Sequence, residues 1–143
     1  MQQNDFEKIL SKIKVFAVVG LSRDREKPSY EVAQYLKEHG YRIMPVNPFV
    51  EEVLGEKSYR SLLDIPIENQ KTIECVDIFR RSEDVPPIVE QAIKLKQMHG
   101  KLKVVWMQLG IVNGEAAEAA RQAGLVVVMD KCLMVEHRRL FGG

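Results

Sequence analysis

The chain has 143 residues, enough for one domain with a real core and too few for two. Its 45% hydrophobic and 29% charged residues are ordinary for a soluble globular protein, and a formal net charge of +1 excludes any global electrostatic attraction to nucleic acid or an anionic membrane, so an anion site has to be a local cluster. No apolar run approaches the ~20 residues that span a bilayer, two cysteines are too few for a disulfide framework, and the polar start MQQNDFEKILSKIK lacks the apolar centre of a signal peptide, so the expected compartment is the cytoplasm.

Residues 3–12 are expected to form a short leading helix, with Phe6, Ile9, Leu10 and Ile13 as its apolar stripe. VFAVV (15–19) is a continuous apolar run, the pattern of a strand buried on both faces. The helix YEVAQYLKEHG follows, with Val32, Ala33 and Leu36 on one stripe and Gly40 just past its end. YRIMPV (41–46) reads as the second strand. NPFVEEVLGEKSYRSLLDIPIENQK is punctuated by Pro48, Gly55 and Pro66, and short turns replace a full crossover helix there. ECVDIF (74–79) is the third strand. SEDVPPIVEQAIKLKQMHG runs from Ser82 as N-cap to Gly100, with Pro86 and Pro87 in the first turn, where missing N–H groups cost little. KVVWMQ (103–108), the alanine-rich helix GEAAEAARQAG and LVVVMD (125–130) complete the alternation. The pattern predicts an α/β domain: a five-stranded parallel sheet with helices on both faces.

In such a sheet ligands bind beyond the carboxyl ends of the strands, at the point where strand order reverses. The first strand-end loop therefore matters most. Gly20 lets the chain leave the strand sharply and lets a ligand approach backbone. The helix after it offers free N–H groups and about half a positive charge. Ser22 and Ser29 add hydroxyls, and Arg23, Arg25 and Lys27 add cations against Asp24 and Glu26. A charge-assisted hydrogen bond contributes roughly 1.5–3 kcal/mol, against ~0.3–1 kcal/mol for a helix terminus alone. Such a loop suits a ligand with more phosphate charge than one pyrophosphate; the bland alternative is a solvated loop that starts a helix. A Walker A loop fails, because Lys27 is followed by Pro28 and the second glycine is missing. The dinucleotide fingerprint keeps only its first glycine, and Asn47 in PVNP stands where a ribose-binding acid belongs. That argues against NAD and leaves NADP and 3′-phospho-ADP, the nucleotide half of coenzyme A, both open.

The ordered pieces VVGLS……KPS, GYRIMPVNP, GEKSYRSLLDIP, VDIFRRSEDVP, VVWMQLG and GLVVVMDKC resemble the small single-domain CoA-binding proteins, which are similar to the CoA-binding domain of the succinyl-CoA synthetase alpha subunit. The resemblance implies a Rossmann-like three-layer fold over one domain, 1–143, with its core at about 14–140, and coenzyme A as cofactor. By position it implies that Gly20, Leu21 and Ser22 meet the phosphates, supported by Lys27 and Ser29 with help from Arg23 or Arg25. Asn47 and Pro48 would border the ribose, Phe79 and Arg80 the adenine or pyrophosphate, and Gln108 and Gly110 the path of the pantetheine arm.

The synthetase's phosphorylated histidine belongs to a further domain, so its reaction is expected to be absent. His39 and His99 each precede a glycine and read as helix C-terminal residues. Asp130, Cys132, Glu136 and His137 match no standard zinc spacing, so no metal is expected. Cys132 reads first as a reduced thiol and second as a partner for the CoA thiol; Trp106 reads as core. The strand ends assemble no Ser-His-Asp set, carboxylate pair or activated nucleophile, so no catalytic residue is expected. The expected function is binding of CoA or an acyl-CoA without catalysis. The alternatives are an NADP-dependent oxidoreductase and a CoA-binding subunit that works with a separate catalytic partner; a homo-oligomer or protein partner is left open.

Overall fold

Short apolar runs rich in valine and isoleucine become strands because neither face meets water. They are β1 (Val15–Val19), β2 (Arg42–Val46), β5 (Cys75–Ile78), β6 (Val104–Met107) and β7 (Val126–Val128). The hydrogen-bonded order is β2-β1-β5-β6-β7, all parallel, and the order of strand addition reverses between β1 and β5. In this computed structural model residues 3–142 are described, apart from the side chains of Gln3, Asn4 and Phe6, so the expected place of Phe6 on the leading helix lies outside the described residues.

The helices are α1 (Gln3–Lys12), α2 (Pro28–Glu38), the short α3 (Ile67–Gln70), α4 (Val85–His99), α5 (Gly114–Gln122) and α6 (Leu133–Phe141). They enclose two cores, one on each face of the sheet. α4 and α5 bring Val89, Leu95 and Ala117 onto Val76, Val105 and Met107. α1, α2 and α6 bring Leu10, Leu36 and Leu133 onto Phe16, Val18 and Trp106. The expected α/β three-layer fold is therefore the one observed.

Several boundaries differ from the expectation, each for a local reason. Strands two to five each start one residue later than expected and end up to two residues earlier. α4 starts at Val85 rather than after Ser82, because Ser82–Asp84 form a 3-10 turn and the Ser82 hydroxyl instead accepts from Val112 N–H at 3.0 Å. The irregular stretch holds β3 (Glu52–Val53) paired antiparallel with β4 (Glu56–Lys57), a 3-10 turn at Leu62–Asp64, and α3. α6 was not expected: its N-cap position is Cys132, which makes no side-chain cap bond, so the usual start signal is missing.

At the amino edge, the nearly buried Glu74 accepts from the backbone N–H groups of Lys14 and Val15 at 2.9 and 3.2 Å. Its own carbonyl accepts from Lys103 N–H at 2.9 Å. One residue thus ties the starts of β1, β5 and β6.

Candidate functional site

The carboxyl edge of the sheet carries a cleft of about 520 Å³ over β1, β5, β6 and β7. Gly20 sits at its floor, at the reversal point, with φ of +86°. A Cβ there would lie 2.6 Å from the Phe79 carbonyl oxygen and 3.0 Å from Arg80 Cδ. The glycine's first use is therefore internal: it lets the β1 and β5 loops close on each other.

Ser22 and Lys27 line the cleft at the start of α2, beside the buried Ser29, whose Oγ accepts from Ser22 N–H at 3.0 Å. Phe79 and Arg80 line it from the end of β5, and Gln108 from the end of β6. A second cleft of about 290 Å³ shares Gly20 and Arg80 and extends over β2 to Pro48 and Arg60.

The other expected site residues lie outside the cleft linings. The Leu21 side chain is fully buried in the core, and its carbonyl accepts from Asn47 Nδ2 at 3.0 Å. Asn47 Oδ1 also accepts from Phe49 N–H at 2.9 Å, so Asn47 is a strut between the β1 and β2 loops and lines neither cleft. Arg23 is exposed and outside both linings. Gly110 is outside them too; its N–H donates to Asp130 Oδ1 at 2.7 Å.

The expected binding set lacked Arg81, Leu109 and Ile111, and met Cys132 only as a second reading, a partner for the CoA thiol; all four line the main cleft. Arg60 carried no signal in its irregular stretch. Asp77 did carry one, a charge within an apolar strand. It is fully buried; Oδ1 accepts from Gln108 Nε2 at 2.6 Å, and Oδ2 has no hydrogen-bond partner among the described residues. Burial pushes its carboxyl up from 3.8 to about 7, opposed in part by the Gln108 bond. Gln108 Oε1 in turn accepts from Leu133 N–H at 3.3 Å, which links β5 through β6 to the start of α6.

Charge in the cleft is partly balanced. Asp84 Oδ2 accepts from Arg81 Nε at 3.1 Å and Arg80 Nη2 at 3.4 Å, and the Arg81 bond is the main reason that this carboxyl titrates below its ordinary value. Among the described residues no carboxylate engages Lys27 or Arg60.

α6 is anchored away from the cleft by His137, which is buried between Tyr35 and Tyr41. Their hydroxyls lie 2.7 Å from Nδ1 and 2.9 Å from Nε2, so a neutral ring accepts from one and donates to the other. Burial, with smaller contributions from His39 and Lys14, holds this imidazole below its ordinary value. Glu136 pairs with Arg139 at 2.8 Å, and among the described residues no three His, Cys, Asp or Glu side chains gather as metal ligands. His39 Nδ1 meets the Tyr35 carbonyl at 2.8 Å at the end of α2, while His99 Nε2 donates to Gln70 Oε1 at 3.0 Å. Trp106 is fully buried and donates from Nε1 to the Lys131 carbonyl at 2.8 Å.

Residues 14–138 match the family described as CoA binding domain. The protein YneT of Bacillus subtilis (strain 168) is 37% identical over 133 residues, covering 93% of this chain and 92% of that one. The ADP-forming acetate–CoA ligase of Methanocaldococcus jannaschii is 32% identical over 138 residues; the match covers 93% of this chain and only 19% of the ligase. The solved structure of a hypothetical protein from Pyrococcus horikoshii OT3 superposes with a TM-score of 0.89 at 44% identity, over 99% of this chain and 94% of that one. With the fold, the reversal-point cleft and the family match in agreement along nearly its whole length, the chain belongs to the CoA-binding domain family, related to the ADP-forming acetate–CoA ligases.

Proposed function

We propose that the protein binds coenzyme A, free or acylated, along the carboxyl edge of the sheet and performs no chemistry of its own on it. The observation that carries this reading is one continuous cleft at the reversal point, with Lys27, Arg80 and the start of α2 on the side where β1 and β5 end. Pro28 has no N–H and those of Tyr30 and Glu31 bond the Lys27 carbonyl, so phosphates are favoured there by the dipole at the start of α2 and above all by the cations. Ser22 and Ser29 shape the turn, with Leu21 and Asn47 bracing it from behind and Arg23 adding charge from outside. Pro48 and Arg60 line the neighbouring cleft, on the ribose side. Gln108 faces the neutral arm, in a wall whose loop Gly110 holds to Asp130.

The test is a thermal shift series with CoA, dephospho-CoA, NADP and NAD. A ligand at 100 times its dissociation constant adds about 2.7 kcal/mol of stability. CoA should stabilise the protein and dephospho-CoA much less, since the extra phosphate is what the cations serve. Stabilisation by NADP and not by CoA would replace this reading with an oxidoreductase. A second reading follows from the ligase match: since this domain corresponds to part of a larger acetate–CoA ligase, the chain works as a CoA-binding subunit beside a catalytic partner. Co-purification of a stable partner from cells tests it.

A further inference from the structure

The chemistry of the main cleft changes from one side of the sheet to the other. At the ends of β1 and β5 it presents the cations Lys27, Arg80 and Arg81 beside the apolar Val32 and Phe79; at the ends of β6 and β7 it presents Leu109, Ile111 and Cys132 and no charge. Neighbouring strands lie about 4.8 Å apart, so the step from β1 to β7 covers roughly 14 Å.

Ile111 and Cys132 pack partly against the two cores, but Leu109 is 71% exposed, and Val112, just beyond the cleft lining, is 49% exposed. A single exposed leucine needs no explanation. Here two apolar side chains stand on a loop that cannot turn them inward. Gly110 N–H donates to Asp130 Oδ1 at 2.7 Å, Ile111 N–H to the Gln108 carbonyl at 2.9 Å, and Val112 N–H to Ser82 Oγ at 3.0 Å. Asp130 N–H returns a bond to the Ile111 carbonyl at 3.2 Å. A pinned loop that holds apolar groups in water beside a ligand cleft is preorganised for an apolar part of the ligand.

Coenzyme A has the matching asymmetry. Its negative charge is confined to the nucleotide half, and its arm is neutral and ends in the thiol. Phosphates at Lys27 and Arg80 direct that end across β6 towards β7. We propose that the ligand is an acyl-CoA with a hydrophobic chain longer than acetyl, and that the chain rests on Leu109, Ile111 and Val112; this rests on the CoA reading above. The loop then acts as a chain-length selector, and the nucleotide half contributes affinity common to every thioester.

The experiment is isothermal titration of the full chain with CoA and with acetyl-, butanoyl-, hexanoyl- and octanoyl-CoA. The readout is the slope of affinity against chain length within each protein. Full burial of a methylene corresponds to about fourfold in affinity, and a half-open loop to about twofold. The expected result is a rise of about twofold per methylene in the native chain, flattened in Leu109→Ser and in Val112→Ser. Both positions are exposed, and unfolding midpoints confirm that the variants fold. Equal affinities for CoA and all its thioesters overturn the inference and leave the CoA reading standing. Absence of binding by every compound overturns both. A slope that survives in both variants also overturns it, since the loop is then not where the chain rests.

Discussion

Replacing Asp77 with asparagine should flatten the pH dependence of stability between pH 5 and pH 8. The carboxyl is fully buried, with one oxygen held by Gln108 and the other unpartnered among the described residues. Burial raises it from 3.8 to about 7, so the folded state holds a proton that the unfolded chain releases. The stability linked to that proton is fully present below about 4 and is lost as pH rises through about 7. The interval from 3.8 to about 7, at about 1.36 kcal/mol per pH unit, corresponds to roughly 4 kcal/mol in total. Between pH 5 and pH 8 the native chain should lose about 2–3 kcal/mol that Asp77→Asn keeps, because the asparagine oxygen still accepts from Gln108 and carries no charge. For a chain of this length that is roughly 10 °C in Tm. The assay is thermal unfolding of both proteins at pH 5, 6, 7 and 8; comparison at each pH cancels every other titrating group. Parallel curves would refute the reasoning, since Asp77 would then ionise in the fold without penalty.

Gly20→Ala should lower stability by about 1–3 kcal/mol from backbone strain alone, and the clash with the Phe79 carbonyl adds to it. Urea unfolding checks this, and an unchanged midpoint would mean that the two loops are not in close contact. His137→Phe leaves the Tyr35 and Tyr41 hydroxyls without their shared partner and should cost about 1–3 kcal/mol. Because the folded imidazole titrates below 6.5, its contribution is full above 6.5 and is lost as pH falls; the variant should lack that acid loss in unfolding scans from pH 7 to pH 5. Arg80→Ala should weaken CoA binding roughly ten- to a hundredfold, the value of one charge-assisted hydrogen bond. Calorimetric titration that finds equal affinity would remove Arg80 from the site.

Strand identity was legible because a parallel sheet buried on both faces demands unbroken apolar runs, and VFAVV, KVVWMQ and LVVVMD are such runs. The location of the cleft was legible because the reversal point follows from strand order alone. What stayed hidden depends on contacts distant in sequence. α6 starts at a cysteine with no cap and is held by His137 meeting tyrosines 102 and 96 residues away. Asn47 looks like a ligand contact in PVNP, and only the packed loops turn it into a strut. Leu109 directly follows the strand KVVWMQ in sequence, and nothing local shows that it stands in water; the bonds that pin its loop there come from Asp130 and Ser82.

The Glu74 tie has a consequence for motion. A single carboxylate secures the first amides of β1, and the same residue accepts from the chain entering β6, all at the amino edge. The opposite edge ends in loops joined by side-chain bonds and a few backbone bonds, such as Asp130 N–H to the Ile111 carbonyl at 3.2 Å. Fluctuations should therefore be smallest at the amino edge, as in a fan held at its pivot. Amide hydrogens of Lys14 and Val15 should exchange more slowly than those of the exposed strand-end loops. A ligand as long as a nucleotide with its arm can thus enter and leave while every strand keeps its register.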